Sequence, residues 1–242
     1  MESLCTIDTR EFEATLKALE QKQFRYATAV ALTRVGQKVK NAIRGTMQVS
    51  FDRPTPYSLN SLVLIPATVT SLSAEVRIKD RGTGGLPQSV FLQPEVQGGD
   101  RQSKGSELSF RSKGLLPGGM FWVPGAGAKL DQYGNMSRGQ VLQIVSAVRE
   151  LGAGAAGAPT RKNKRTAKLA SQIFVGKPAG GRLPLGVYQR GADGSLKPLM
   201  IFVSEPHYKV RLPFNDIAST VYATNFETEF SQALADALNS AK

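Results

Sequence analysis

A row of small apolar residues at every fourth position constrains the fold of this chain more than any other feature of its sequence. The row is Ala27, Ala31, Val35, Val39 and Ile43. This spacing is typical of one face of an α-helix. Because small side chains dominate the row, we expect a second element to pack closely against it. The sequence 53–56, Arg-Pro-Thr-Pro, ends the predicted helix, since proline cannot continue it.

Strands are predicted after this helix, and a second long helix at the other end of the chain. Residues 61–68 and 74–79 are rich in Val, Leu and Ile and predict an antiparallel hairpin. Three further candidate strands, expected to complete the same sheet, lie at 173–175, 185–188 and 199–203. An amphipathic helix is predicted from about Pro213 onward. The prediction is an α+β fold, an antiparallel or mixed sheet flanked by N-terminal and C-terminal helices.

The middle of the chain differs in composition from both ends. Residues 82–172 are rich in Gly, Pro, Ser and charged residues, with short apolar runs and one clear helical pattern at 136–151. We therefore predict a single α+β domain over 1–242, in which 82–172 form a loop-rich insertion that carries one helix and a basic loop.

The chain is strongly basic. Lys and Arg number 31 against 19 Asp and Glu, which gives a net charge of +12. Such a charge favours binding to polyanions or acidic protein surfaces. The basic loop carries Arg161, Lys162, Lys164, Arg165 and Lys168. It is either a solvated loop or an arm that contacts DNA phosphates or an acidic partner, and any DNA contact should be independent of sequence and sensitive to salt.

The chemistry-bearing residues are sparse. One cysteine and one histidine, Cys5 and His207, are too few for a zinc site. The run 152–157 matches the spacing of a dinucleotide-binding loop, but a predicted helix precedes it where a strand is required. Ser137 lies near glycine as nucleophilic serines do, yet its only available base is His207. We predict no enzyme activity, no metal, no cofactor and no membrane span.

An apolar segment interrupts the loop-rich region. Its large side chains are Leu115, Leu116, Met120, Phe121 and Trp122. Two interpretations stay open: the segment packs against the core of its own chain, or it anchors a neighbouring subunit, since Trp is enriched at the energetic centres of interfaces.

Four segments carry a resemblance to a known family. The sequence 27–35, ATAVALTRV, resembles the N-terminal helix of minor tail protein Z and related tail-completion proteins of tailed phages. The sequences 91–99, FLQPEVQGG, and 129–140, KLDQYGNMSRGQ, resemble stretches of phage virion proteins of this type. The C-terminal part, from 185–190 through 198–203 to the last helix, is similar to the same group. Residues 100–116 depart from the basic pattern expected there, because they include Asp100 and Glu107.

The resemblance implies a structural virion protein at the head–tail junction. Such a protein forms a homo-oligomeric ring, for example a hexamer, that contacts other neck and tail proteins and lets the genome pass. It is expected in the host cytoplasm during assembly and then in the virion. The alternative drawn from charge alone is a basic DNA-binding or packaging accessory protein.

Overall fold

The computed structural model of the chain describes residues 10–80, 87–152, 172–178, 183–204 and 207–240, and its fold is α+β. The helices are α1 (Arg10–Ser50), α2 (Pro56–Leu59), α3 (Gln88–Gln97), α4 (Gly105–Arg111), α5 (Arg138–Gly152) and α6 (Phe214–Ser240). The strands are β1 (Leu62–Ile65), β2 (Glu75–Ile78), β3 (Gly99–Asp100), β4 (Met120–Pro124), β5 (Ile173–Gly176), β6 (Gly186–Arg190), β7 (Leu196–Ser204) and β8 (His207–Tyr208).

The chain divides into two compact units. Unit 1 comprises Met1–Leu92 and Arg211–Lys242, and unit 2 comprises Gln93–Val210. The sequence predicted one domain over 1–242 with an insertion at 82–172. The second unit extends well past residue 172, because the strands β5, β6 and β7 form one sheet with β4 from the middle of the chain.

Unit 1 is built on the packing of α1 against α6. Four alanines from the two helices, Ala27, Ala31, Ala233 and Ala237, form a buried cluster. Lys38 contacts Asn225, whereas Arg34 contacts Asp236, so the two helices run antiparallel. The predicted long helices at both ends of the chain are confirmed. The small residues of the predicted row allow the two backbones to approach closely.

The predicted hairpin is also confirmed, and it packs on α1. Strands β1 and β2 pair antiparallel, with Leu62 opposite Ile78. The hydroxyl oxygen of Thr33 accepts a hydrogen bond from the Ala67 amide at 3.1 Å. The Nε of Arg25 donates to the carbonyl oxygen of Val69 at 2.9 Å. A side chain at Gly36 would meet Leu64, which shows how closely the hairpin approaches the helix.

Unit 2 contains a four-stranded antiparallel sheet in the order β4-β7-β6-β5. The helices α4 and α5 contribute Phe110, Ile144 and Val148 to the core that also contains residues from all four strands. The predicted helix at 136–151 and the strands at 173–175, 185–188 and 199–203 are confirmed. A short antiparallel pair joins β3 to β8, with Asp100 opposite His207.

The expectation that β5, β6 and β7 complete the sheet of the hairpin is wrong. In the part of the chain that the structure describes, β1 and β2 form a two-stranded sheet of their own. Strand β7 pairs with β6 along one edge and with β4 along the other, so both of its edges are already occupied. Strand β4 lies in the segment that the sequence assigned to loops.

Two glycines allow a matched test of the sheet. A Cβ at Gly186 would lie 2.3 Å from the carbonyl oxygen of Met200, a backbone atom that cannot move without separating β6 from β7. A Cβ at Gly139 in α5 would meet no atom within 4 Å. We expect Gly186→Ala to lower the free energy of unfolding by about 1–3 kcal/mol or more, and Gly139→Ala to leave it unchanged or slightly raised. Urea denaturation measures both, and equal effects would contradict the β6–β7 packing.

Candidate functional site

The predicted contact residues of the basic loop cannot be placed. Arg161, Lys162, Lys164, Arg165 and Lys168 all lie outside the described residues. Their proposed contact with DNA or an acidic partner therefore stays a prediction.

The predicted interface segment packs into the core of unit 2. Leu116, Phe121 and Trp122 are buried, with exposed fractions of 2%, 3% and 4%. Leu115 and Met120 are partly buried and pack against the same core. This is the first of the two interpretations left open by the sequence, namely that the segment packs on its own chain. The reason is the formation of β4, which places the segment in the sheet beside β7.

Glu107 is a carboxylate in the interior of unit 2. It lies on α4 and is completely buried. Its two carboxylate oxygens accept hydrogen bonds from the Arg101 guanidinium at 2.6 and 3.0 Å. They also accept from the backbone amides of Lys104, at 2.6 Å, and Trp122, at 3.1 Å. Four donors around one carboxylate explain how a charge can be buried here.

The Glu107 carboxyl titrates below its ordinary range. Burial raises its pKa, but the hydrogen bonds from Arg101, Lys104 and Trp122, together with the Arg101 charge, outweigh burial and lower the pKa. Glu107 is therefore a charged structural group. A carboxylate with four donors already in place is poorly suited to serve as a general base.

The same contacts protect the outer edge of β4. The Trp122 amide donates to Glu107, and the Arg111 guanidinium donates to the Met120 carbonyl oxygen at 2.6 Å. Side chains of α4 thus take the place of a neighbouring strand along this edge. Edge strands with unpaired backbone groups promote aggregation, and covering them is a common protection.

Cations also stack on the aromatic side chains of β4. The guanidinium carbon of Arg101 lies 4.5 Å from the centre of the Phe121 ring, and that of Arg111 lies 5.2 Å from it. The Lys104 amine lies 4.4 Å from the Trp122 ring. Burial lowers the pKa of Lys104, and the Arg101 charge lowers it further, while Glu107 acts in the opposite direction. The cluster holds β4 and α4 together.

The two residues considered for a hydrolase have structural contacts instead. The Ser137 hydroxyl accepts a hydrogen bond from the Gln140 amide at 3.2 Å, the pattern of a residue that caps the start of a helix, here α5. His207 is exposed, and its Nδ1 lies 2.7 Å from an Asp100 oxygen across the β3–β8 pair. The structure records no contact between Ser137 and His207 among the residues it describes.

No group of three or more His, Cys, Asp or Glu side chains that could hold a metal ion is found among the described residues. None of the helices in the described part of the chain is both long and apolar enough to cross a membrane.

An open groove of about 400 Å³ lies in unit 1 between α1, the segment before β2 and the N-terminal half of α6. Its lining is mainly aliphatic, with Leu32, Val35 and Leu72 among its residues, and its one carboxylate is Glu75.

The charged edge between α1 and α6 is the second polar feature of unit 1. The Lys38 amine lies 2.8 Å from a Glu229 oxygen, and Arg34 lies 3.7 Å from both Glu229 and Asp236. The hydrogen bond from Lys38 lowers the pKa of Glu229, with a further contribution from the Lys38 and Arg34 charges. These partly exposed pairs help to fix the register of the two helices more than they add to stability.

Sequence reasoning missed the Glu107 cluster as a structural centre. The sequence did contain a signal for this cluster, because Glu107 was one of two acidic residues in a region where basic residues were expected. Recognising its role needed the position of Trp122, which only the fold brings to Glu107.

No family model, no curated protein and no solved structure matches the chain.

Glu107→Gln tests the buried ion pair. The change leaves the Arg101 guanidinium, which is also largely buried, without its counter-charge. We expect the free energy of unfolding to fall by about 3 kcal/mol near neutral pH. Glu75→Gln, at an exposed position on β2, is the matched control and should have little effect.

The pH dependence follows from the lowered pKa of Glu107 in the folded state. The stability that its charge contributes is fully present above the unfolded pKa and is lost as the pH falls through the folded pKa. The difference in free energy of unfolding between the wild-type protein and Glu107→Gln should therefore become smaller as the pH falls into the acid range. Thermal unfolding at a series of pH values from neutral to acidic measures this stability difference. A stability difference that increases as the pH falls would contradict a charged Glu107.

Proposed function

We propose that this protein is a structural subunit of a tailed bacteriophage particle, located at the head–tail junction. Several copies form a closed ring that completes the tail, joins it to the head and leaves a channel for DNA. The proposal rests on the sequence resemblance to tail-completion proteins, and one structural observation carries it further. The segments that resemble tail-completion proteins contain residues on which the fold of this chain depends.

In unit 1, the resembling run 27–35 supplies the close contact between the long helices. Ala27 and Ala31 are fully buried in the cluster with α6. At the end of α3, the resembling run 91–99 contains Gly98 and Gly99, with φ angles of 73° and 86°. These angles lie in the region that favours glycine. A resemblance at such positions supports a shared backbone and not merely a shared composition.

In unit 2, the resembling segments include a tight turn and core residues. The Asp131 carboxylate accepts hydrogen bonds from the amides of Tyr133 and Asn135, both at 2.9 Å, and so fixes the turn before α5. Val187 and Met200, from the resembling region 185–203, are completely buried in the sheet core. These residues belong to the architecture of the chain, as expected of a structural protein.

The polar groups of the described residues also support a binding role. Glu107 is saturated by donors, Ser137 caps a helix, and His207 contacts Asp100 at the surface. The net charge of +12 suits a subunit beside the path of a polyanionic genome.

The decisive test is the composition of the particle. We expect purified virions to contain the protein as one closed ring, as seen by mass measurement of the isolated neck and by imaging with a labelled subunit. Phage that lack the gene should accumulate filled heads and separate tails that do not join. A protein that is monomeric in infected cells and absent from virions would contradict the proposal, as would infectious particles made without it.

The alternative, a basic DNA-binding or packaging accessory protein, is supported by the net charge and makes a different prediction. The test variant replaces four basic residues by alanine: Arg161, Lys162, Lys164 and Arg165. If the loop contacts phosphates, affinity for duplex DNA should drop, and the slope of log K against log salt should decrease by roughly 0.9 for each lost contact.

The control for this experiment is the double replacement of the exposed Lys113 and Lys129 by alanine, which should leave the salt slope unchanged. Fluorescence anisotropy over a salt series measures both variants. An identical slope for the loop variant and the wild-type protein would exclude the loop as a DNA contact.

A further inference from the structure

One edge of β2 is unpaired and lies along the groove of unit 1. The other edge is bonded to β1, and the Lys79 amide donates to the Ser61 carbonyl oxygen at 2.8 Å at the end of that ladder. In an antiparallel ladder every second residue directs its main-chain N–H and C=O away from the partner strand. By this alternation Val76, and Ala74 just before β2, point away from β1. Both line the groove, and neither makes a main-chain hydrogen bond to another described residue on that side.

The rest of the groove is apolar. Its lining includes Val35 and Val39 from α1, and Phe214 and Ala218 from the first half of α6. Its volume of about 400 Å³ lies within the range of ligand-binding clefts. An extended polypeptide strand suits such a groove, because its main chain pairs with the free strand edge while alternate side chains enter the apolar space.

Residues 1–9 have the composition of such a strand. Their sequence is MESLCTIDT, with apolar side chains at Leu4, Cys5 and Ile7 and neither proline nor glycine. In an extended conformation Cys5 and Ile7 share one face and Leu4 lies on the other. These residues lie outside the described part of the chain and directly precede α1.

The groove of the same copy is out of reach for this segment. Helix α1 begins at Arg10, and Leu32, the first groove residue on it, lies about 33 Å further along the helix axis. From Ile7 to Arg10 the extended chain spans at most about 11 Å. A segment that fills the groove therefore comes from a second copy.

We propose that residues 1–9 of one copy bind as an extended strand beside β2 in the groove of a neighbouring copy. The strand pairs with the main-chain groups of Ala74 and Val76, and its apolar side chains enter the groove. The segment and the groove are two different surfaces of each copy, so the contact is head-to-tail, the kind that generates a closed ring. The inference needs a neighbouring copy and therefore rests on the proposed ring.

A disulfide between copies tests the contact in the full-length chain. Cys5 is the only cysteine of the chain, and Asn215 is an exposed residue of the groove. In Asn215→Cys, mild oxidation should link Cys5 of one copy to the new thiol of the next, because a disulfide forms only when the two Cα atoms come within about 7 Å. The control, Lys113→Cys, places a thiol at an exposed position in unit 2.

We expect at least about five times more disulfide-linked oligomer from Asn215→Cys than from the control, because only position 215 lies beside the bound segment. Non-reducing electrophoresis measures the oligomers. Mass spectrometry of a mixture of isotope-labelled and unlabelled protein shows whether each disulfide joins two copies or lies within one.

Two matched pairs of further changes, made in Asn215→Cys, test how the segment is held. Val76→Pro removes an amide that points away from β1, so the hairpin is retained, whereas Val76→Ala keeps this amide. Ala218→Phe fills the groove, whereas Ala223→Phe adds the same ring at an exposed position of α6 outside the groove lining. We expect Val76→Pro and Ala218→Phe to abolish most of the disulfide and the two controls to retain it. Circular dichroism during thermal unfolding checks that all four variants fold.

The outcomes separate this inference from the proposed function. A protein that forms no ring, alone or in particles, overturns both. A ring that forms without the disulfide at position 215, or a disulfide that survives Val76→Pro and Ala218→Phe, overturns this contact and leaves the ring intact. A disulfide within one copy, or one from position 215 to another virion protein, assigns the groove to a different segment and also overturns the contact.

Discussion

The close packing of α1 against α6 is the constraint on which the structure of unit 1 depends. Four alanines bring the helix backbones together, because no larger side chain holds them apart. At that separation Lys38 and Arg34 reach the carboxylates of α6. The ion pairs help to fix the register of the two helices.

Unit 2 depends on a different interaction, the buried carboxylate of Glu107. Its hydrogen bonds join the segment before α4 to the outer edge of β4. Arg101 and Arg111 then cover Phe121, and Lys104 lies over Trp122. Glu107 departs from the basic pattern that the sequence led us to expect at 100–116. It is nevertheless the residue that covers the outer edge of β4. Burying a charge in this way is costly, so its four donors are needed to keep the carboxylate ionised.

The charged residues of the two units have different structural roles. In unit 2 the cations near Glu107 stack on aromatic rings and stabilise the fold. In unit 1 the cations Arg34 and Lys38 pair with Glu229 and Asp236 along the edge where α1 and α6 meet.

The sequence predicted the three longest helices and most of the longer strands, but not α3 and α4, which lie in the region expected to carry a single helix. Helical periodicity located α1, α5 and α6, and β-branched runs located the hairpin and the strands β5, β6 and β7. Strand β4 was missed, although its Trp122 was noted, because the segment is short and glycine precedes it. Its pairing partner in β7 lies far along the chain, since Met120 pairs with Ser204. The residue pattern within one segment does not indicate which distant segment will pair with it.

By itself the sequence determined the α+β class and the small-residue face of α1, because periodicity and composition act within a few turns. Tertiary structure alone decided that the apolar segment at Trp122 enters the core, that the hairpin and the larger sheet stay separate, and that Glu107 is a buried structural ion. It also decided which charges of α1 and α6 are paired. Each of these depends on contacts between residues distant in the chain, and such contacts form only when the whole set of elements packs together.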